Sequence, residues 1–445
     1  MMRLLASTSF AFLVAAASAA QGADLLEIYR AAQSSDAVYA SARAAWAAGQ
    51  EKLPQGRAGL LPSLSLSAST QHNDRDLRFR GPTTSTGGAA QFNSNAVTLS
   101  LTQPLFRRQN TLAFEQAKTQ VTQTDAQFAQ AAQDLILRVA QAYFDVLLAQ
   151  DALTLAQAQL AAIGQQLEQA KRNFEVGTAT ITDTHEAQAR YDITVSGEIA
   201  ARNDLEIKRR ALQQIIGRTA PVLAILGPKF MPSTPEPNNM EAWVNEALAL
   251  NLQVQISQAG LDFANHEVER NRAGHLPTLD AFASYSDSGS GSGVQGGAGT
   301  DTTSKIVGLQ LALPLYQGGS VTSRVREALA NEDKARQDLE NARRSAELST
   351  RQAFLGVTNG LAQVKALEAA LVSSQSSLDS TRLGQEVGVR TQVDVLNAQQ
   401  QLFQTRRDLA QARYNYILSL LRLKASVGKL SEDDLTRVNA WLDKR

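Results

Sequence analysis

EVGTATITDT (175–184) returns as EVGVRTQVDV (386–395), 211 residues further along a chain of 445 residues. Other stretches repeat at a similar spacing: RAGLLPSLSLSAS (57–69) with RAGHLPTLDAFAS (272–284), and LTQPLF (101–106) with LALPLY (311–316). A period of this size is much longer than the roughly 20–50 residues of a solenoid repeat. The chain is therefore predicted to carry one motif twice, in residues 23–230 and 231–445.

The composition excludes several kinds of partner and chemistry. The 43 Lys and Arg residues balance the 43 Asp and Glu residues, so nucleic acid is not expected as a partner. The chain has no cysteine, which rules out a disulfide scaffold, a thiolate metal site and a lipidated N-terminal cysteine. GSGVQG (291–296) fits a dinucleotide fingerprint but lies in a Ser/Gly-rich loop with no helix behind it. No cofactor, metal site or catalytic residue is predicted.

The N-terminus has the pattern of a secretory signal peptide, predicted over residues 1–22. Arg3 precedes an apolar run from Phe10 to Ala17, and small residues suited to cleavage follow between Ala19 and Ala23. After it, no run is expected to reach the roughly 18 apolar residues of a membrane helix. An exported chain of this kind is periplasmic, secreted, or in the outer membrane as a barrel.

Four short segments alternate apolar and small polar residues, which is strand periodicity. Leu64 and Leu66 alternate with serines in the first, as do Val97 and Leu99 with polar residues in the second. Strands of about ten residues, the length of a tilted membrane strand, are predicted at about 61–72, 94–104, 276–286 and 304–314. Gln71 to Asn95 is predicted to be a polar loop rich in Thr, Gly and Asn. Because single-chain barrels begin at about eight strands, the chain is expected to oligomerise, and three copies would supply twelve strands.

Heptad spacing dominates the segment that follows the first strand pair. Phe114, Val121, Phe128 and Leu135 lie seven residues apart, and the series resumes at Val146 after a four-residue step. Apolar residues spaced seven apart, with one four-residue step between two series, are typical of a supercoiled helix that is locally unwound. Long helices are predicted over about 105–174 and 315–386, returning helices over about 183–217 and 394–428, and a first helix from Asp24 to near Gly59. At 1.5 Å per residue the first long helix would measure roughly 105 Å, which suits a tube.

These features together resemble the TolC family of outer-membrane channels. The resemblance rests on the duplicated halves, the strand ends QPLF and LPLY, the turns FEVGTATITD and EVGVRTQVDVLNAQQQL, and the closing run RRDLAQARYNYILSLLRLKASVGKL. It implies a mainly α fold with a transmembrane β part, built as a homotrimer. In such a trimer a twelve-stranded β-barrel in the outer membrane of a Gram-negative bacterium continues into a twelve-helix coiled-coil tunnel in the periplasm. The implied function is type I protein secretion or multidrug efflux, with a periplasmic adaptor and an inner-membrane ABC, RND or MFS transporter as partners.

The resemblance also assigns roles to the two repeated turns, which are expected at the periplasmic tip. The residues implied to meet the adaptor are Val176, Gly177, Thr178, Val387, Gly388 and Val389. Glycine at a helix end also favours left-handed geometry, a role compatible with docking. Asp183 and Arg390 are implied to hold the tunnel mouth shut, beside Thr182 and Gln385, and Asp394 to form an acidic ring there.

The sequence is compatible with several alternatives. Asp183 and Asp394 also suit helix N-caps, since each stands where a returning helix begins. Two residues depart from the family pattern. Gln385 stands where the family often has a tyrosine that joins the latch, and Asn397 stands where the family often has the acidic residue of a second ring. A periplasmic coiled-coil adaptor or scaffold is the competing function, although it would not need four symmetric strands. An enzyme is the third class, but no nucleophile, base or metal cluster supports it.

Overall fold

The computed structural model describes residues 22–78, 80–81, 88–291 and 298–443. The predicted signal peptide, apart from Gly22, and the glycine-rich GSGVQG stretch, apart from Gly291, therefore lie outside the described residues. The elements in chain order are α1 (Leu25–Ser35), α2 (Ala37–Gln50), α3 (Lys52–Ala58), β1 (Ser63–Leu77), β2 (Gly88–Phe106), α4 (Arg108–Glu175), α5 (Ile181–Ile216), β3 (Ile225–Leu226), α6 (Met240–Leu250), α7 (Leu252–Arg272), β4 (Thr278–Ser290), β5 (Thr300–Ala312), α8 (Ser320–Glu386), α9 (Gln392–Ser426), α10 (Glu432–Asn439) and β6 (Leu442–Asp443).

The chain divides into two compact units. The first comprises Met1–Ser41, Ala131–Ala247 and Leu348–Arg445, and the second comprises Ala42–Gln130 and Leu248–Glu347. Each unit takes segments from both predicted repeats. The duplication therefore does not produce one unit per repeat, because each unit is assembled from both halves of the sequence.

The second unit contains an antiparallel sheet with the strand order β1-β2-β4-β5. Within the described chain, β1 pairs only with β2 and β5 pairs only with β4, so the sheet has two free edges. The free edge strands are 15 and 13 residues long. Long unpaired edges are templates for pairing with another chain, and soluble proteins avoid them.

The first hairpin is longer than the sequence predicts. Much of the polar segment expected to be a loop, Gln71 to Asn95, continues the ladder of β1 and β2. His72 Nδ1 lies 2.8 Å from Asn93 Oδ1, and Asn73 donates to Ser94 Oγ at 2.9 Å. The expectation of a loop throughout this segment is wrong, because polar side chains opposite one another stabilise a hairpin as well as apolar ones do.

One face of the sheet is apolar and exposed in the single chain. Leu66 lies directly opposite Leu99, and Ala281 directly opposite Leu309, so their side chains share this face. Leu66 is 71% exposed. The alternate positions are mostly Ser and Thr. A contiguous exposed apolar face of this kind is unfavourable in water. Apolar residues on one face of a strand and polar residues on the other are the pattern of a lipid-facing strand.

An ion pair joins Arg107, directly after the end of β2, to Asp280 of β4. Arg107 donates from Nε to Asp280 Oδ1 at 2.7 Å and from an NH group to Oδ2 at 2.5 Å. The Asp280 side chain is only 11% exposed, and a two-point contact of this kind is among the stronger ion pairs. The pair fixes the two predicted repeats to each other at the base of the sheet.

The first unit is held by the heptad positions of α4, α8 and α9. Tyr143 and Phe144 of α4 are fully buried, and the Phe144 ring stacks on Tyr414 of α9 at 5.5 Å between centroids. Leu378 of α8 packs with Val395 of α9 in a separate cluster nearer the turns. Of the predicted heptad positions of α4, Leu135 and Val146 are buried, whereas Phe114, Val121 and Phe128 are half-buried. The prediction of a buried heptad stripe is therefore confirmed only in part of α4, and Tyr143 and Phe144 lie outside that series.

The first helix of each half is interrupted, where the sequence predicts a continuous helix from Asp24. Asp36 has extended backbone and its carboxylate accepts the Tyr39 N–H at 2.6 Å, which starts α2. Asn251 does the same between α6 and α7, accepting from Val254 N–H at 3.1 Å. The break arises because Asp and Asn side chains compete with the helix for backbone donors.

One described helix, α4, is long and apolar enough to cross a membrane by length and composition alone. The prediction that no run of roughly 18 apolar residues follows the signal peptide concerns unbroken runs, whereas this finding concerns the mean hydropathy of a stretch. Ala and Leu raise the average of the stretch although Gln residues interrupt it. A single helix of this kind is weak evidence for a membrane span, since core helices pass the same test, and here only 22% of the stretch is buried in the chain.

Candidate functional site: the two hairpin turns

The two repeated turns have the same backbone. Gly177 has φ +78° and Gly388 has φ +77°, both in the left-handed region. The N–H groups of Thr178 and Ala179 both donate to Asn173 O, at 2.8 and 3.2 Å, which satisfies this carbonyl near the end of α4. A Cβ at either glycine would meet nothing within 4 Å. The glycines are therefore required by backbone geometry rather than by space, which confirms their structural role.

Each returning helix begins with a capping box rather than with an aspartate cap. Thr180 is the N-cap of α5: its hydroxyl accepts Asp183 N–H at 3.3 Å, while the Asp183 carboxylate accepts Thr180 N–H at 2.9 Å. Thr391 and Asp394 repeat the arrangement at α9, with 3.2 and 2.9 Å. The alternative of Asp183 and Asp394 as N-caps is thus wrong in position, because both stand three residues inside the helix.

The capping boxes hold both carboxylates in the charged form. The N–H of Thr180, followed by its hydroxyl, lowers the pKa of Asp183 below its ordinary value. The N–H and hydroxyl of Thr391 lower the pKa of Asp394 in the same way, with a smaller contribution from nearby Arg390. Hydrogen bonds to the ionised form have this direction of effect. Both acids are therefore anionic at neutral pH and ready to accept a cation.

The tip residues are exposed and apolar. Val176 is 72%, Val387 66% and Val389 75% exposed. The Thr178 hydroxyl is used within the turn, donating to Asn173 O at 3.0 Å. Valines that project from a turn without packing contribute nothing to the stability of a single chain, so they form a small apolar surface available to a partner.

The predicted gate residues do not all meet within one chain. Among the described residues, Arg390 makes no ion pair within 4.0 Å, and Thr182 is exposed in the first turn of α5. Gln385 donates its amide to Gln392, which closes the second hairpin on itself. The contact between Asp183 and Arg390 therefore remains a prediction about neighbouring chains.

The structure shows polar contacts between the two hairpins that no sequence pattern predicts. Arg190 of α5 donates to Asn397 Oδ1 at 3.0 Å and to Gln400 Oε1 at 3.4 Å, both on α9. Gln166 of α4 donates to Gln399 of α9 at 2.7 Å. No motif marks these residues, because contacts between helices far apart in sequence depend on how the helices pack.

A duplicated chain with a lipid-compatible open sheet, long heptad helices and two exposed hairpin turns defines a membrane-inserted channel protein. Among the described residues, no group of three or more His, Cys, Asp or Glu could hold a metal ion. The model of the family described as outer membrane efflux protein matches residues 28–218 and again 243–429, once in each predicted half.

Comparison with individual proteins agrees with the family match. The chain is 36% identical to the outer membrane protein TolC of Vibrio cholerae, over 96% of this chain and 95% of that protein. It is 31% identical to the proteases secretion protein PrtF of Dickeya chrysanthemi, over 95% and 92%. The fold matches the crystal structure of the CmeC outer membrane channel of Campylobacter jejuni with a TM-score of 0.78 at 17% identity, over 94% and 90%.

The chain belongs to the outer membrane efflux protein family. It is an outer-membrane export channel with a large periplasmic part, as the sequence resemblance predicts. The family match sets aside the alternative of a periplasmic adaptor or scaffold.

Proposed function

We propose that three copies of the chain form one conduit across the outer membrane and periplasm, acting as a passive channel rather than an enzyme. The open sheet with two free edges and one exposed apolar face carries this proposal. Pairing β5 of one copy with β1 of the next would satisfy both edges, and three copies would close twelve strands. The helices below would then supply twelve helical segments around a periplasmic tunnel.

The proposed partners are a periplasmic adaptor and an inner-membrane ABC, RND or MFS transporter. The proposed adaptor contact is the tip surface of Val176, Gly177, Thr178, Val387, Gly388 and Val389, because its valines are exposed and unpacked. The protease secretion protein among the relatives supports protein cargo, and the family description supports efflux. Selection of cargo is assigned to the transporter, since the helices carry mostly Ala, Gln, Ser and Thr outside the heptad stripe.

The tunnel mouth is proposed to be held shut by Arg390 of one chain and Asp183 of its neighbour, with Asp394 forming an acidic ring beside them. Among the described residues of one chain Arg390 has no ion-pair partner within 4.0 Å, although its charge makes a small contribution to the lowered pKa of Asp394 in its own turn. The capping box lowers the pKa of Asp183, which is anionic at neutral pH. One such pair per copy gives three latches, each contributing about 1 kcal/mol or less because the groups are exposed. Docking of a partner would then be enough to displace them.

Insertion of the sheet is tested by a matched pair of substitutions. Leu66→Arg places a charge on the apolar face and should abolish outer-membrane trimers, since arginine on the lipid face costs about 2–4 kcal/mol at the membrane midplane. Ser67→Arg places the same charge on the opposite face and should leave them. Heat-modifiable migration of outer-membrane fractions is the measurement. Loss of trimers in both variants, or in neither, would contradict the assignment of faces.

Docking is tested at the two glycines. Gly177→Trp with Gly388→Trp should abolish export while trimers still form. The matched control is Asn at both positions, which tolerates left-handed backbone with a small side chain and should retain export. Normal export in the tryptophan double variant would remove the docking role, whereas failure of the asparagine control would assign the loss to backbone strain.

The latch is tested by single-channel conductance in planar bilayers. Arg390→Ser and Asp183→Ala should each raise conductance, and the double variant should open little further because each single change removes the shared contact. Thr180→Ser keeps both the capping hydroxyl and the Asp183 carboxylate, so it should leave conductance unchanged. Unchanged conductance in Arg390→Ser, or additive effects, would leave the arginine as a solvated tip residue.

The outer loops are tested by labelling on intact cells. The ends of the two hairpins, where β1 leads to β2 and β4 leads to β5, are proposed to face the exterior, because outer-membrane barrels carry their longer loops there. Tags at Gly88, where β2 begins, and at Gly293, outside the described residues, should be labelled without permeabilisation. Labelling only after permeabilisation would overturn this topology.

A further inference from the structure

Arg190 is placed to connect the two hairpins of one chain. It lies seven residues, about two helical turns, after Asp183 on α5. Its guanidinium reaches α9, donating to Asn397 Oδ1 at 3.0 Å and to Gln400 Oε1 at 3.4 Å. Glu186, one turn earlier on α5, lies 3.4 Å from the same guanidinium and orients it. The Arg190 side chain is thus oriented by Glu186 of its own helix and donates hydrogen bonds to α9 of the other hairpin.

This contact differs from the other arginine contacts of α5. Arg210 also pairs with a glutamate one turn earlier, Glu206 at 2.8 Å, but its remaining contact is to Gln213 of the same helix. Arg190 is 26% exposed, against 67% for Arg210. The Nε of Arg190 is buried without a partner among the described residues. A buried donor without a partner costs free energy. Arg190 is nevertheless held in this buried position, in which its guanidinium contacts α9.

We propose that Arg190 is a positioning residue that ties α5 to α9 within each chain and thereby restrains opening of the tunnel mouth. The inference rests on the proposed channel function and adds a second restraint to it. The latch at the turns would join neighbouring chains, whereas Arg190 joins the two hairpins of the same chain about two turns further along. Opening the mouth by separating the hairpins would break both.

The acceptor at Asn397 allows the link to be strengthened as well as removed. Its amide is neutral, so the present contact is a hydrogen bond assisted by one charge. Asn397→Asp would turn it into an ion pair without changing the shape of the side chain. Destabilisation of the fold does not tighten a contact, so a gain in closure distinguishes a specific link from general structural damage.

The experiment measures open probability in planar bilayers with purified trimers in potassium chloride. Arg190→Ala removes one partly exposed polar contact from each of the three chains, each worth about a two- to fivefold shift, so the open probability of the trimer should rise at least about two- to fivefold. Asn397→Asp should lower it below the unmodified chain, but not in the Arg190→Ala background. Arg210→Ala is the matched control and should change nothing.

The outcomes separate this proposal from the channel proposal. Equal open probability for Arg190→Ala and Arg210→Ala, or an unchanged effect of Asn397→Asp without Arg190, would overturn the link as a restraint. An unmodified chain that passes no current would overturn the channel function instead. In that case amide hydrogen exchange over residues 392–400 still decides the link, since Arg190→Ala should raise exchange there and Arg210→Ala should not.

Discussion

Removing the threonine cap of α5 should loosen the start of this helix and leave the start of α9 unchanged. Thr180→Ala deletes the hydroxyl that accepts Asp183 N–H at 3.3 Å and donates to its carboxylate at 2.8 Å. The Thr180 N–H, which donates to Asp183 at 2.9 Å, is retained. Loss of an exposed threonine cap costs about 0.5–1 kcal/mol, at the low end of measured values. Local opening should then become about two- to fivefold more frequent.

Amide hydrogen exchange read by mass spectrometry measures this change directly. Peptides covering residues 181–185 should exchange about two- to fivefold faster in Thr180→Ala, and peptides covering 392–396 should not change. Thr180→Ser keeps the hydroxyl and should resemble the unmodified chain, while Thr391→Ala should reverse the pattern between the two helices. Unchanged exchange at 181–185, or an equal increase at both helices, would refute the assignment of local capping boxes.

Three further predictions concern pH, an ion pair and the sheet. Because the pKa of Asp183 is lowered in the folded chain, its contribution is present above the ordinary aspartate pKa and is lost as pH falls through the folded value. Exchange at the start of α5, corrected for intrinsic rates, should therefore rise only in acid, and a rise near neutral pH would contradict this. Asp36 binds Arg138 through two contacts of 2.8 and 2.9 Å. Asp36→Asn should lower the melting temperature because the charge is lost while the helix cap is kept, and Asp36→Ala should lower it further because both are lost. Equal losses would show that the cap contributes nothing. A Cβ at Gly308 would lie 2.8 Å from the Phe282 ring, so Gly308→Leu should destabilise the folded trimer by about 1–3 kcal/mol per chain and lower the temperature at which folded trimers disappear on gels. Phe282→Ala should relieve the effect; no relief would place the strain elsewhere.

The fold of the sheet shows where sequence patterns are sufficient. Alternation of Leu64 and Leu66 with serines predicts a strand with two unlike faces, and the pairing of Leu66 with Leu99 confirms it. The same rule failed for much of the polar segment 71–95, which pairs across the hairpin. Alternation detects a strand only where its two faces differ in polarity, and here both faces are polar.

At the hairpin turns, too, some features are predictable from local sequence and others are not. The left-handed backbone at Gly177 and Gly388 was predictable, because glycine at a helix end is a local signal. The capping threonines were also readable in principle, since TITD and TQVD carry a threonine three residues before an aspartate. The docking and latch roles come from family resemblance and stay predictions, because they depend on other chains.

The sequence by itself determined the duplication, the two-faced strands, the heptad stripes and the glycine turns, because each depends on residues near one another along the chain. Only the tertiary structure decided that each unit takes segments from both repeats, that Arg107 binds Asp280, and that Arg190 reaches Asn397. These contacts join residues 173 and 207 positions apart. Their register is set by how helices and strands pack, and no local pattern encodes the packing of two distant segments.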